Sequence, residues 1–421
     1  MLGLDFRGTL SWNHLFAEKH ITNFFAGMEV NSLQKTYSSF QGWGMQYSMG
    51  EIPSYIYQFF KNGIESGSRY YSLGHSETRS IASFFNATYS YDGRYTLNGT
   101  FRYEGTNRMG RSRSSRWLPT WNLSGAWNVH EESFFKALQP TLSNLTLKAS
   151  YSLELTYEKK HELNIGIDLG LLENRINFSA DWYQRNNYDL IGVVPTQGVG
   201  GVINKYANVA TMKSHGVEFT LSTRNIRTND FSWNTDFIFS YAKNEVTQLK
   251  GLTSMMELVS GNGFAREGYP VRGLFSIPFA GLDEDGIPQY LIDGKVTSTS
   301  INFQEREKLD YLKYEGPTDP TVTGSFGNVF TYKGFKLNVF MTYSFGNVVR
   351  LNPVFNYKYS DLTAMPREFK NRWTVSGDEA RTNIPVILSD PQYRTNTSLY
   401  LAYNAYNYST ERIAKGDFIR M

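Results

Sequence analysis

Between Thr106 and Trp117 the chain reads TNRMGRSRSSRW, which places Arg108, Arg111, Arg113 and Arg116 within nine residues and no acid among them. Planar guanidinium groups at this density pair with phosphates or carboxylates, so the run has the chemistry of an anion contact. A dedicated nucleic-acid binder needs more than a local run. With 42 Lys+Arg against 39 Asp+Glu the formal charge is only +3, so no nucleic-acid partner is expected. Other reactive groupings are sparse. His130-Glu131-Glu132 and His161-Glu162 lack a second histidine at metal-ligand spacing and read as solvated surface residues. No nucleophile elbow or phosphate-binding loop occurs, so enzyme activity is not expected. Asp283, Asp285 and Gly286 are similar to the start of a calcium loop. The bidentate glutamate is missing, and a second Asp-Gly follows at Asp293-Gly294, so ordinary turns compete with a loosely held Ca²⁺ there.

The elements that position these groups are written in the aromatic residues. Tyr, Phe and Trp make up 16% of the chain, yet mean hydropathy is −0.43, so aromatic and polar residues must be finely interleaved. The step of that interleaving is two. In RYTLNGTFRYE, Tyr95, Leu97, Gly99, Phe101 and Tyr103 fall on one face of a strand and Arg94, Thr96, Asn98, Thr100, Arg102 and Glu104 on the other. RINFSADWYQ and KLNVFMTYSF alternate likewise. About twelve such segments occur, most longer than the five or six residues usual in soluble sheets. The spans expected are 2–14, 20–31, 79–91, 94–104, 117–129, 143–153, 161–170, 174–187, 214–225, 230–243, 323–333 and 335–347. The chain has no cysteine and no apolar run long enough for a spanning helix.

Tight turns such as Asp92-Gly93 and Lys333-Gly334 alternate with longer connections at 32–78, 105–116, 188–213, 244–322 and 348–396. In an antiparallel up-and-down sheet, alternate connections lie at opposite ends, so turns gather at one end and loops at the other. Transmembrane β-barrels have that asymmetry, with lipid outside and a polar lumen. Soluble propellers and large sandwiches also use long amphipathic strands. Charges along one whole face, such as Arg102 and Glu104, argue for the barrel, because a sandwich buries its inner faces.

Particular blocks narrow this further. FFNATYSYDGRYTLNGTFRYEGTNRMG, followed by WNLSGAWNV, resembles the central barrel signature of SusC/RagA-type TonB-linked outer-membrane transporters. ELTYEKKHELNIGIDLGLLENRINFSADWYQRNNYDLI, Asn208 with SHGVEFTLS, DPTVTGSFGNVFTYKGFKLNVFMTYSFGN, NRWT and the closing GDFIRM resemble later blocks of that family, in order. The resemblance implies an all-β antiparallel barrel of twenty-two strands around a plug. It also implies import of glycans or peptides energised by TonB, under a SusD-like surface lipoprotein, in the outer membrane of a Gram-negative bacterium. Against that pattern the chain is expected to be the C-terminal part of the barrel, without plug or TonB-binding segment. A long outer loop is missing between Leu153 and Glu154, where an omitted segment is expected.

For an importer, the relevant residues are those that meet ligand in loops. Trp43, Tyr55, Tyr57, Phe59, Tyr70 and Tyr71 in 32–78, and Phe264 and Tyr269 in 244–322, present flat faces that stack on sugar rings or peptide side chains. The competing use is packing of the loops themselves. Arg108, Arg111, Arg113 and Arg116 fall at the outer end, either as a solvated tip or in contact with lipid phosphates or acidic groups of the lid. The alternative to import is a glycan-binding surface adhesin, which would be water-soluble with an ordinary surface.

Overall fold

The computed structural model describes all residues except 42–44, 47–51, 54–56, 109–115, 140, 156–157, 196–203, 300, 355–365 and 389–396. The chain forms two compact units, one of Met1–Asp92, Leu97–Leu123 and Glu154–Thr156, the other of Gly93–Thr96, Ser124–Leu153 and Tyr157–Met421.

Both units are antiparallel ladders in chain order. In the first, Leu2–Phe16 pairs with His20–Phe40, which pairs with Tyr71–Tyr91. In the second, Lys159–Leu171, Ile176–Pro195, Asn204–Arg227, Phe231–Leu249, Val322–Tyr332 and Phe335–Phe345 pair successively, and Phe418–Arg420 ends the run. The remaining expected strands are also present, as Tyr95–Thr106, Trp117–Asn128 and Leu142–Leu155. Leu153 and Glu154 are consecutive residues within the last of these. Among the described residues nothing pairs with the outer edge of Leu2–Phe16 or of Phe418–Arg420. The sheet therefore does not close on itself; the antiparallel, all-β character expected of part of a barrel is present, without a closed barrel.

The tight turns explain the pairing. Ala17 and Glu18, Asp92 and Gly93, and Lys333 and Gly334 all take positive φ at two successive positions. Two left-handed residues in a row match the right-handed twist of the flanking strands. At the other end, strands run further than their alternation predicts, to Phe40 and from Tyr71 in the first unit. The reason is that residues 32–39 and 72–79 carry polar groups on both faces, so the period-two signal fades while the backbone ladder continues. In Ile176–Pro195 the expected end at 187 coincides with a register shift between Asn187 and Leu190, where Asp189 has φ +56°. A bulge breaks the alternation without ending the strand.

The faces are inverted relative to a soluble sheet. Leu97 and Phe101 are 53% and 45% exposed, while Thr96, Asn98, Thr100 and Arg102 on the opposite face are partly covered. Tyr103 stacks on Trp117 at 5.2 Å at one limit of this band, and Tyr95 on Trp127 at 6.2 Å at the other. Eight residue steps separate Tyr95 from Tyr103; at about 3.3 Å per step and a tilt near 40°, that is roughly 20 Å across a bilayer. Gly105 sits under the Trp117 ring so closely that a Cβ would meet it at 2.8 Å.

The two longest connections fold around a core of their own. Met255, Leu258, Val259, Phe275, Ile277 and Tyr290 pack with Ala402 and Ala405 of the helix Thr397–Tyr406. The helix Met255–Val259 begins with a reciprocal capping box between Ser254 and Glu257. Tyr290 donates its hydroxyl to the carbonyl of Ala402 at 2.6 Å, which ties the two connections together. Arg350 donates to the carbonyls of Val259, Phe275 and Ser409 at 3.0, 2.6 and 2.9 Å. Burial pushes its guanidinium down to about 10.

Two outcomes are expected. Phe101→Arg places a cation on the apolar face and should cost about 2–4 kcal/mol in denaturant unfolding from lipid vesicles, whereas Thr100→Arg on the polar face should cost near zero. In the loop core, burial above all pushes the phenols of Tyr311 and Tyr314 from 10.0 up to about 12. A folded-state pKa above the unfolded value gives stability that is full below pH 10 and lost as pH rises through 12. Alkaline titration should therefore show tyrosinate absorbance rising together with loop unfolding; independent titration of these phenols near pH 10 would contradict the packing.

Candidate functional site

The polar faces carry the fixed charges of the strands. In the first unit, Arg102 reaches Glu29 at 3.0 Å and Glu104 at 2.9 Å, and Arg7 approaches Glu29 at 3.3 Å. In the second, Lys148 bonds Asp168 at 3.0 Å and lies 3.8 Å from Asp181, while the Ser179 hydroxyl also donates to Asp168. These charges reach one another along and across strands: Arg102 and Glu104 are two apart on one strand, Arg102 meets Glu29 across the intervening strand Tyr71–Tyr91, and Lys148 meets Asp168 on the adjacent strand and Asp181 on the one beyond it. The arrangement is a wetted wall of cross-linked ions. Among the described residues no group of three or more His, Cys, Asp or Glu is placed to hold a metal. Asp283 is occupied otherwise: its Oδ1 accepts from the backbone of Asp285 at 3.0 Å and Ile287 at 2.8 Å, as a turn residue does.

The expected ligand-contact residues fall in different places. Trp43, Tyr55, Arg111 and Arg113 lie outside the described residues. Tyr57 and Phe59 are on a helix, Tyr57–Glu65, with Tyr57 75% exposed. Tyr70 meets Phe60 of that helix edge-on at 5.5 Å, and Tyr71 starts the following strand. These four are exposed at the loop end of the first unit. Phe264 and Tyr269 belong to the second unit. Phe264 is exposed and bridges its backbone to Gly273. Tyr269 packs on Phe275 at 4.9 Å and Tyr314 at 4.8 Å, so its ring is committed to the loop core. Arg108 and Arg116 stand at the two ends of the arginine run; the Arg108 amide is held by Thr106 Oγ1 at 3.3 Å.

Two features were not foreseen. Glu132, expected as solvated, is only 9% exposed and accepts from Tyr95 at 2.5 Å, Trp127 at 3.2 Å and Arg94 at 3.4 Å. The Tyr95 hydroxyl, with Trp127 and Arg94, holds its carboxyl below the usual carboxylate range. His130 and His161 are likewise engaged, with Leu145 O and Tyr151 Oη. Nothing in the local sequence marks Glu132, because its partners arrive from other strands. The second feature is a hollow of about 350 Å³ between Val30, Ile81, Gly105 and Trp117, rimmed by Arg79 and Arg116. Gly105 could have signalled only the close approach of Trp117, whose ring takes the space a side chain there would need.

The strand pattern has known counterparts. The chain is 24% identical over 428 residues to TonB-dependent receptor P39 of Formosa agariphila, covering 80% of this chain and 39% of that protein. It is 25% identical over 251 residues to TonB-dependent receptor SusC of Bacteroides thetaiotaomicron, covering 46% of this chain and 25% of SusC. The chain thus spans well under half the length of these curated relatives. Its fold is that of the RagAB peptide transporter, with a TM-score of 0.74 and 19% identity over 99% of this chain and 48% of that one. The open-open state of the RagAB peptide importer gives 0.75 and 20%, over 100% and 47%. The family description "TonB dependent receptor-like, beta-barrel" matches residues 2–414, nearly every strand described above, and the chain belongs to that family.

Proposed function

We propose that the protein of which this chain is the barrel part imports an oligomeric nutrient, a peptide or an oligosaccharide, across the outer membrane. In this reading the strands continue into a closed barrel of about twenty-two around a plug. TonB supplies the energy through residues beyond this chain, and a SusD-like lipoprotein covers the mouth. The observation that carries the reading is the inversion of the faces, aromatic outward and ion-paired inward, in a chain of this family with the fold of a peptide transporter. A polar, charged wall 20 Å or so deep suits passage of hydrated, hydrogen-bonding solutes rather than apolar ones. We assign Tyr57, Phe59, Tyr70, Tyr71 and Phe264 as the aromatic contacts that the incoming chain or its lid meets at the mouth, and leave Tyr269 to packing.

In cells carrying the full-length protein, uptake of labelled oligopeptides and oligosaccharides should disappear when TonB is removed; unchanged uptake would overturn active import. Tyr57→Ala with Tyr71→Ala should raise the half-saturating substrate concentration by roughly thirtyfold, at about 1 kcal/mol per lost ring contact, with unchanged barrel yield. Tyr269→Ala should instead lower the stability of the loop core.

A further inference from the structure

Glycine weakens a strand, yet it recurs in these ladders directly opposite large rings. Gly27 faces Phe84 and Gly74 faces Tyr37 in the first unit; Gly216 faces Tyr183 and Gly324 faces Tyr343 in the second. Each ring lies over its glycine so closely that an added Cβ would overlap ring atoms. At Gly74 the nearest atoms all belong to Tyr37.

Two of these seats are closed from above as well. The guanidinium of Arg7 lies over the Phe84 ring at 5.3 Å and approaches Glu29 at 3.3 Å; that of Arg185 lies over the Tyr183 ring at 4.1 Å and approaches Glu162 at 3.1 Å. Each ring is thereby held between bare backbone and a cation. Tyr343 reaches further: it crosses Gly324 and donates its hydroxyl to the carbonyl of Ile238 at 2.8 Å, two strands away.

A seated ring fits one row of the ladder only. A slip of two residues, the smallest that keeps every side chain on its own face, would set Tyr37 against Ser72 or Ser76 and Tyr183 against Ser214 or Glu218. Both seats also stand where the side-chain pattern says least about register. Tyr37 and Gly74 lie in the stretch with polar groups on both faces, and Tyr183 and Gly216 lie close to the register shift that follows Asn187.

We propose that these glycine-seated rings are register locks, which fix the pairing of neighbouring strands during assembly where alternation leaves a two-residue slip open. The device acts on the wall itself and does not depend on the solute carried. Propensity makes alanine in place of a strand glycine neutral or favourable, so a loss on that substitution has the sign of a lock.

The test uses the full-length protein folded into lipid vesicles, scored only on molecules that show the heat-dependent gel shift of a folded barrel. Disulfide formation between Thr36→Cys and His75→Cys, which are opposite in the native ladder, reads the native register. Thr36→Cys with Leu73→Cys or with Glu77→Cys reads the two slipped registers, since those pairs are diagonal in the native ladder and beyond easy disulfide reach. Each single-cysteine variant is the blank. Gly74→Ala and Tyr37→Ala should each raise the ratio of slipped to native cross-link roughly tenfold. Tyr37→Phe, which keeps the ring, should match wild type, as should Gly99→Ala, whose methyl meets nothing nearer than Leu123 at 4.0 Å. Gly74→Ala with Tyr37→Ala should slip no more than Tyr37→Ala alone, because the methyl then enters an empty seat. A native ratio in Gly74→Ala, or effects that multiply in the double variant, would overturn the lock.

Discussion

The constraint on which everything else depends is that hydrocarbon offers backbone groups no hydrogen-bond partner. Each N–H and C=O at membrane depth must then bond sideways to the next strand, and side chains facing lipid must be apolar. Long, unbroken ladders follow, with positive-φ turns at Ala17-Glu18, Asp92-Gly93 and Lys333-Gly334 joining them at minimum length. The same constraint pushes charge to the other face. Arg102, Glu29 and Glu104, or Lys148 and Asp168, pair there among the other polar groups of that face.

Outside the bilayer the constraint lifts and different physics takes over. The strands of the first unit keep their ladder as far as Phe40 and Tyr71 with polar residues on both faces, since water now tolerates either. The long connections of the second unit build a conventional core instead, with Tyr290, Phe275 and Ile277 wholly buried. Arg350 is the telling residue there: a half-buried cation that satisfies three carbonyls from different segments.

Much of the fold was legible because the period of two is imposed residue by residue. Tyr95 to Tyr103 announce their face without reference to any other strand, and the alternation of turns and loops orders the ends. Strand ends were less legible. The period is lost where both faces turn polar, and at the bulge near Asp189, although the ladder continues through both. The site residues divided similarly. Tyr57 on its helix and Tyr71 at the start of its strand are exposed, whereas Tyr269 looks the same in sequence and is held by Phe275 and Tyr314.

The sequence by itself determined the class of sheet, the inversion of its faces, the end at which loops gather and the family blocks, because each depends on neighbours along the chain. Only the tertiary structure decided which polar groups are neutralised and where space is left. Glu132 becomes a buried acceptor because Tyr95, Trp127 and Arg94 converge on it from other segments. The hollow beside Gly105 is lined by Val30, Ile81 and Trp117, which come together from three strands. Burial and cavities are properties of what lies across the strand, and that is set by register in space rather than by order along the chain.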